Sequence, residues 1–318
     1  MTSARRPDRA PPKVVVRSDY GLPYSKGLMA QSLMATGLPS ERSFALAQQI
    51  EERLAQRNSA EIGVDELRAV AEEVVAAGES EQVLARFRRW WEVRKLERPL
   101  LVLLGGVTGV GKSTIATHLA ARLGITHVIA TDQVRQVVRA FFSREFLPTV
   151  HHSSFDVGNA LPALSHDRPG TVAGFMQQAH DIAPGLDAVV ERAVSDRTPM
   201  VVEGVHLLPD IPSPRLCERA TTVRVMIAVR DEAEHRQHFH TRGMQTLRAP
   251  ERYLEALDRI RTLQDYLVER AEGAGVPVID GSGAGLETMW RRVLEVVLDA
   301  VGAAAGTDAA SSANLQRR

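Results

Sequence analysis

The sequence holds one cysteine, Cys217, in 318 residues. A single thiol excludes an internal disulfide framework and a cysteine-based metal site, and it fits a reducing cytoplasm. Neither sign of charge is in excess, since 39 lysines and arginines stand against 39 aspartates and glutamates. A neutral chain has no general attraction for a polyanion, so nucleic acid is not expected as a partner. Basic groups should instead be local, gathered around phosphates. No apolar run approaches the ~20 residues of a membrane span, so no membrane partner is expected either. The charges of the first nine residues have no apolar stretch behind them, which argues against a signal peptide. No internal repeat is found.

The length favours two domains, and the patterning divides the chain accordingly. Residues 1–12 are rich in Arg and Pro, residues 302–318 in Ala, Ser and Gly. Both ends are expected to be disordered. Between 13 and 95 lies a short β-branched run, Val14 to Val16, then a turn at Asp19 to Pro23. Helical segments follow at Ser25–Thr36, Ser40–Gln56 (with Ser40 as N-cap), Val64–Ala77 and Glu79–Leu96. This predicts a small, mostly helical module without strand–helix alternation. From residue 96 to 301 the rhythm becomes α/β. Continuous apolar runs at Leu100–Leu104, His127–Thr131, Met200–Val205, Val223–Val229 and Val276–Ile279 predict five strands of a parallel sheet buried on both faces by helices. Ligands then sit beyond the carboxyl ends of those strands.

One motif stands at such an end. Gly106-Val107-Thr108-Gly109-Val110-Gly111-Lys112-Ser113 follows the first of these strands and, with Thr114 also expected at the nucleotide, precedes a run of helix formers from Ile115 to Leu123. This is the G-x-x-x-x-G-K-[ST] phosphate-binding loop in its proper context. Its glycines let successive N–H groups face a phosphate chain, and the helix N-terminus adds partial positive charge there. Lys112 reaches the β- and γ-phosphates of a nucleoside triphosphate, and the Ser113 hydroxyl is a Mg²⁺ ligand. The expected cofactors are ATP and Mg²⁺, and the expected fold is of the P-loop NTPase type.

Other residues fall at neighbouring strand ends. Asp132 can accept the proton of an attacking hydroxyl or organise the metal; equally, it can cap the helix Gln133–Phe142. Arg135 and Arg139 follow four apart on one helix face, suited to an anionic acceptor or to solvent. Glu203 ends an apolar strand, as does the acid that assists Mg²⁺ in P-loop enzymes. His206 reads as a capping or core histidine, with substrate contact as the alternative. Residues 232–242 suggest a lid whose arginines, Arg236 and Arg242, close over phosphates. His235, His238 and His240 match no ligand spacing, so no metal site is expected there. The polar loop Leu147–Phe155 is either a cover for the acceptor or a plain connection.

Several blocks in order resemble 2-phosphoglycerate kinase. They are Gly105 to Ala116, Arg122-Leu123-Gly124-Ile125, Ile129-Ala130-Thr131-Asp132, Leu147-Pro148-Thr149-Val150-His151 and Val202-Glu203-Gly204-Val205-His206. The resemblance covers about residues 98–300. It implies transfer of the ATP γ-phosphoryl to the 3-hydroxyl of 2-phosphoglycerate, so the partner is a small phosphorylated hydroxy acid. In the acceptor loop, His152 and Phe155 stand where the family pattern has Thr and Tyr. At the front, Val14-Val15-Val16-Arg17, Tyr24-Ser25-Lys26 and Leu28 are similar to the ATP-cone, a regulatory nucleotide-binding module. That likeness implies that Arg17 and Lys26 meet nucleotide phosphates. The alternative is a helical domain that packs on the kinase or on a second subunit, as in a homo-oligomer. Two rival functions stand beside transfer to 2-phosphoglycerate. One is a kinase for another hydroxy acid, sugar acid or nucleoside; the other is an ATP-sensing regulatory protein.

Overall fold

Three strands of two or three residues organise the front of the chain: β1 (Val15–Arg17), β2 (Leu22–Pro23) and β3 (Glu61–Gly63). β1 lies in the middle, antiparallel to β2 and parallel to β3. The computed structural model describes residues 15–17, 22–57, 61–93, 96, 98–160, 168–245 and 250–315. The ends expected to be disordered fall partly outside these, residues 1–12 entirely. The helices are α1 (Lys26–Met34), α2 (Ser40–Gln56), α3 (Val64–Gly78) and α4 (Glu81–Val93). Their apolar faces bury Leu33, Leu46, Ile50, Val70, Phe87 and Trp91 in one cluster, with Ile62 of β3 among them. Two sequence expectations change here. Leu22–Pro23 is a strand rather than the end of a turn, and Glu61–Gly63 adds a strand to a module read as mostly helical. Runs this short offer no alternation to detect. Ser40 is the first helical residue, with Pro39 as its N-cap and no side-chain cap bond.

The chain divides between residues 94 and 95 into two compact units. The second is built on β4 (Leu100–Gly105), β5 (His127–Ala130), β6 (Met200–Gly204), β7 (Thr221–Ala228) and β8 (Val278–Asp280). All pair in parallel, in the order β5-β6-β4-β7-β8. Every residue of the central strand β4 is buried, which is why its sequence is apolar without alternation. The helices are α5 (Lys112–Leu123), α6 (Thr131–Phe141), α7 (Arg168–Ser195), α8 (Pro214–Cys217), α9 (Glu232–Gln245), α10 (Glu251–Glu255), α11 (Leu257–Gly273) and α12 (Leu286–Leu315). α5 packs with α12 and α7 with α11, while α11 and α12 both touch β7, so the sheet is covered on two faces. This is the expected α/β fold. α12 continues to Leu315, across residues expected to lack regular structure. The alanines at 303–305 and 309–310 are strong helix formers that leave no apolar periodicity to read. Among the described residues no helix is long and apolar enough to cross a membrane.

Register decides what meets at the carboxyl edge. Glu203 of β6 stands opposite Leu104 of β4 and Ala130 of β5. The loop after β4, the helix after β5 and the end of β6 therefore leave the sheet side by side.

Candidate active site

The phosphate-binding loop turns out of β4 with Gly106, Gly109 and Gly111 at positive φ. Gly109 is the tightest of them. Its φ is +88°, and a Cβ there would lie 2.6 Å from the Phe239 ring and 2.9 Å from His235 Nε2. Only glycine fits. Two histidines of α9 fix the loop from behind. His235 Nε2–H donates to the Thr108 carbonyl at 2.9 Å, and His238 Nδ1–H donates to the Gly109 carbonyl at 2.9 Å. Holding these carbonyls outward favours the N–H groups facing the opposite way, toward a phosphate chain. Burial pushes the His235 imidazole below its usual range, against the pull of the Thr108 bond. Its Nδ1 is buried and has no hydrogen-bond partner, as befits a neutral ring. Among the described residues no cluster of three or more His, Cys, Asp and Glu is placed to hold a metal ion by itself.

Lys112 opens α5, its Nζ 3.3 Å from the Val107 carbonyl and 3.7 Å from Glu203 Oε2. Ser113 Oγ donates to Glu203 Oε1 at 2.8 Å. Glu203 is buried, and its Oε2 has no hydrogen-bond partner, leaving only the Lys112 charge nearby. A carboxylate and a hydroxyl at the end of a phosphate loop form an oxygen donor set of the kind Mg²⁺ takes alongside phosphate oxygens. The residues present therefore fit that ion.

α6 starts two residues earlier than expected, with Ala130 as N-cap and the Gln133 side chain bonded back to the Ala130 N–H. Asp132 is thus inside the first turn and is not the cap, because Thr131 already opens the helix. Its side chain is 61% exposed and accepts from Arg135 Nε at 3.1 Å. Partial burial pushes the Asp132 carboxyl up. The opposing charges of Arg135 and Lys112 outweigh that and hold it below the usual carboxylate range.

Behind Asp132 runs a buried polar chain. Gln178 Nε2 donates to the carbonyls of Thr149 (2.6 Å) and His152 (3.0 Å), which fixes its Oε1 as an acceptor. His206 Nε2 lies 3.0 Å from that Oε1 and so carries the proton. His206 Nδ1 accepts from the Thr131 hydroxyl at 2.9 Å. Complete burial pushes His206 down to about 4, so it is neutral at pH 7. Gly204, at φ +153°, makes room for this chain, since a Cβ there would sit 1.8 Å from Thr131 Oγ1. His206 is a core histidine that touches the cleft only through Thr131.

The His152 carbonyl also anchors Arg135. It is buried, and its Nη1 donates to Val150 (2.9 Å) and His152 (3.1 Å). The loop from Leu147 to Phe155, with a 3-10 turn at Pro148–His151, is therefore a fixed wall. Arg252 of α10 donates to Ser153 Oγ at 2.7 Å, and Arg259 of α11 to the Phe155 carbonyl at 3.1 Å.

Together these elements enclose a cleft of about 610 Å³. Lys112, Ser113, Asp132, Arg135, Arg139, Glu203 and the stretch His151–Phe155 all line it, as do Arg252 and Tyr253. The lining holds four Lys or Arg side chains against two carboxylates, in a chain with no net charge. Local charge of this kind favours anions. Of the two lid arginines expected, Arg236 is exposed, pairs with Glu232 at 3.3 Å and does not line the cleft. The Arg242 side chain lies outside the described residues, as does that of Arg17. Lys26 is half-buried at the start of α1, 3.4 Å from Gln48 Oε1. Sequence reasoning missed Arg252, Tyr253 and Gln178. They lie in helices with no motif; the cleft reveals Arg252 and Tyr253, and the buried polar chain behind it reveals Gln178.

No family model matches the chain. Individual relatives do. The 2-phosphoglycerate kinase of Methanopyrus kandleri is 35% identical over 267 residues, covering 82% of this chain and 80% of that one. The 2-phosphoglycerate kinase of Pyrococcus horikoshii is 34% identical over 288 residues, covering 90% and 93%. That of Thermococcus kodakarensis is 36% identical over 259 residues, covering 81% and 88%. Among solved structures, a gluconokinase from Sinorhizobium meliloti 1021 aligns with a TM-score of 0.37 at 18% identity, over 67% of this chain and 98% of that one. Matches this long to several relatives span both units, and they agree with the blocks that meet in the cleft: the chain belongs to the 2-phosphoglycerate kinase family.

Proposed function

We propose that the protein transfers the γ-phosphoryl of ATP to the 3-hydroxyl of 2-phosphoglycerate, releasing ADP and 2,3-bisphosphoglycerate. The observation that carries this reading is the shared cleft. A phosphate loop with Lys112, a paired Ser113 and Glu203, and an ionised Asp132 open into one cation-rich space. The triphosphate lies along residues 106–113, with Lys112 on its terminal phosphates. Ser113 and Glu203 would hold Mg²⁺, whose charge would offset that of the triphosphate; Asp132 faces the same space. In the transfer, a bond forms between the acceptor oxygen and the γ-phosphorus, and the bond to the β-bridging oxygen breaks. The hydroxyl proton passes to Asp132. A carboxylate held this acidic orients the hydroxyl first and takes its proton late, which suits a loose transition state. The protein supplies mainly position and charge.

For residues 13–95 the reading is a regulatory ATP-cone-like module, with Arg17 and Lys26 toward nucleotide phosphates. The single cysteine supports a cytoplasmic setting. The transfer is tested by ³¹P NMR of the full chain with Mg·ATP and 2-phosphoglycerate. The expected result is a new phosphomonoester at the 3-position, appearing in step with ADP. ADP formed alongside inorganic phosphate alone overturns the reading.

A further inference from the structure

The acceptor's own phosphate needs a partner, and the residue first expected to hold it is committed elsewhere. Arg135 is buried, with Nε on Asp132 and Nη1 on two loop carbonyls. Lys112 and Ser113 serve the triphosphate end. Arg236 is outside the cleft lining. Two guanidinium groups of the lining remain. Arg139 continues the α6 stripe of Asp132, Arg135 and Gln136, and among the described residues its one hydrogen bond is to Gln136 at 3.3 Å. Arg252 comes from α10. Its Nη2 is fixed by Ser153 Oγ at 2.7 Å and by Asp156 Oδ2 at 3.2 Å, and its guanidinium lies 5.7 Å from the centre of the Phe155 ring. The side chain is still 62% exposed, and Nη1 and Nε make no hydrogen bond among the described residues. A guanidinium tethered at one nitrogen loses less rotamer freedom when it binds.

We infer that Arg252, together with Arg139, forms the subsite for the phosphate of the acceptor, a monoester dianion; this rests on the transfer proposed above. A dianion calls for two guanidinium groups, and the forked geometry of arginine matches phosphate oxygens. Arg135 is then a positioning residue that braces the loop. Arg259 supplies an internal control. It binds the other oxygen of the same Asp156 at 2.9 Å and the Phe155 carbonyl, yet it does not line the cleft. Removing it disturbs the brace without touching the subsite.

The test is calorimetric titration of 2-phosphoglycerate, with steady-state kinetics, on the full-length wild type and on Arg252→Gln, Arg139→Gln, Arg252→Lys and Arg259→Gln. Acceptor affinity should fall about tenfold or more in each of the two Gln variants of the subsite, with the KM for Mg·ATP near the wild-type value. Arg252→Lys should recover part of the loss. Arg259→Gln should change acceptor affinity by less than about threefold. Wild-type affinity in Arg252→Gln and Arg139→Gln overturns the inference. So does an equal loss in Arg252→Gln and Arg259→Gln, which assigns Arg252 to the brace alone. Should Arg252→Gln melt at room temperature, Arg139→Gln and Arg252→Lys decide. A wild type that turns over unphosphorylated glycerate and fails to bind 2-phosphoglycerate sinks the proposed function itself, an outcome distinct from those.

Discussion

Asp132 and His206 stand one residue and one hydrogen bond apart, and their surroundings set their charges in opposite ways. Asp132 is ionised beside Arg135, whereas His206, fully buried, is neutral with its proton on Nε2. Replacing the acid by its amide keeps the shape and removes the charge. Asp132→Asn is expected to lower kcat by about a hundredfold, with little change in the KM for ATP; unchanged kcat removes the residue from the mechanism. The sign for His206 follows from its lowered value. An unfolded chain takes up a proton as pH falls through the ordinary 6.5, while the folded chain resists until about 4. Stability is therefore full above about pH 6.5 and declines as pH drops toward 4. Thermal melting of wild type and His206→Gln across that range checks this: the wild type should show the steeper decline. The sequence located Asp132 because a strand end and a loop motif bracket it. It gave His206 only a generic role, since Gln178, its partner, is 28 residues away on a helix with no signature. Arg135 was legible as a residue near the phosphate loop, but its buried bonds to Val150 and His152 were not.

At the scale of elements, α9 matters through its inner face. His235, His238 and Phe239 press on the phosphate loop, and Gly109 exists to admit them. Losing either histidine frees a loop carbonyl. His235→Ala and His238→Ala should each raise the KM for ATP by about three- to tenfold, with a smaller effect on the acceptor, as initial-rate kinetics will report. Gly109→Ala should be worse, because a methyl there meets both rings and the backbone is left-handed; ATP binding by fluorescence titration should be lost. The histidine spacing matched no ligand motif, and it could not name the carbonyls these rings hold. The parallel sheet was legible chiefly because β4, β6 and β7 are largely buried runs of six, five and eight residues. β2 and β3 were not, being two and three residues long. The wall formed by Leu147–Phe155 was visible as a polar loop, and its fixed character came only with Gln178, Arg252 and Arg259.

For the whole molecule, the balance of charge is the broadest constraint. A chain with 39 charges of each sign places four cations and two carboxylates in one cleft. Acceptor binding should therefore weaken as salt rises, since partly exposed charges are screened over ~8 Å at physiological ionic strength. Raising potassium chloride should increase the KM for the phosphorylated acceptor more than that for Mg·ATP, whose phosphates also meet the N–H groups of the loop. The division into two units was legible from the change of rhythm near residue 96, and the chemistry is concentrated in the second. The central claim is transfer to one phosphorylated hydroxy acid, and ADP release tests it most directly. Purified full-length protein with Mg·ATP is offered 2-phosphoglycerate, 3-phosphoglycerate, glycerate, gluconate and a nucleoside in turn. Rapid release is expected with 2-phosphoglycerate alone. Release with none of them, or with an unphosphorylated acid in preference, contradicts it.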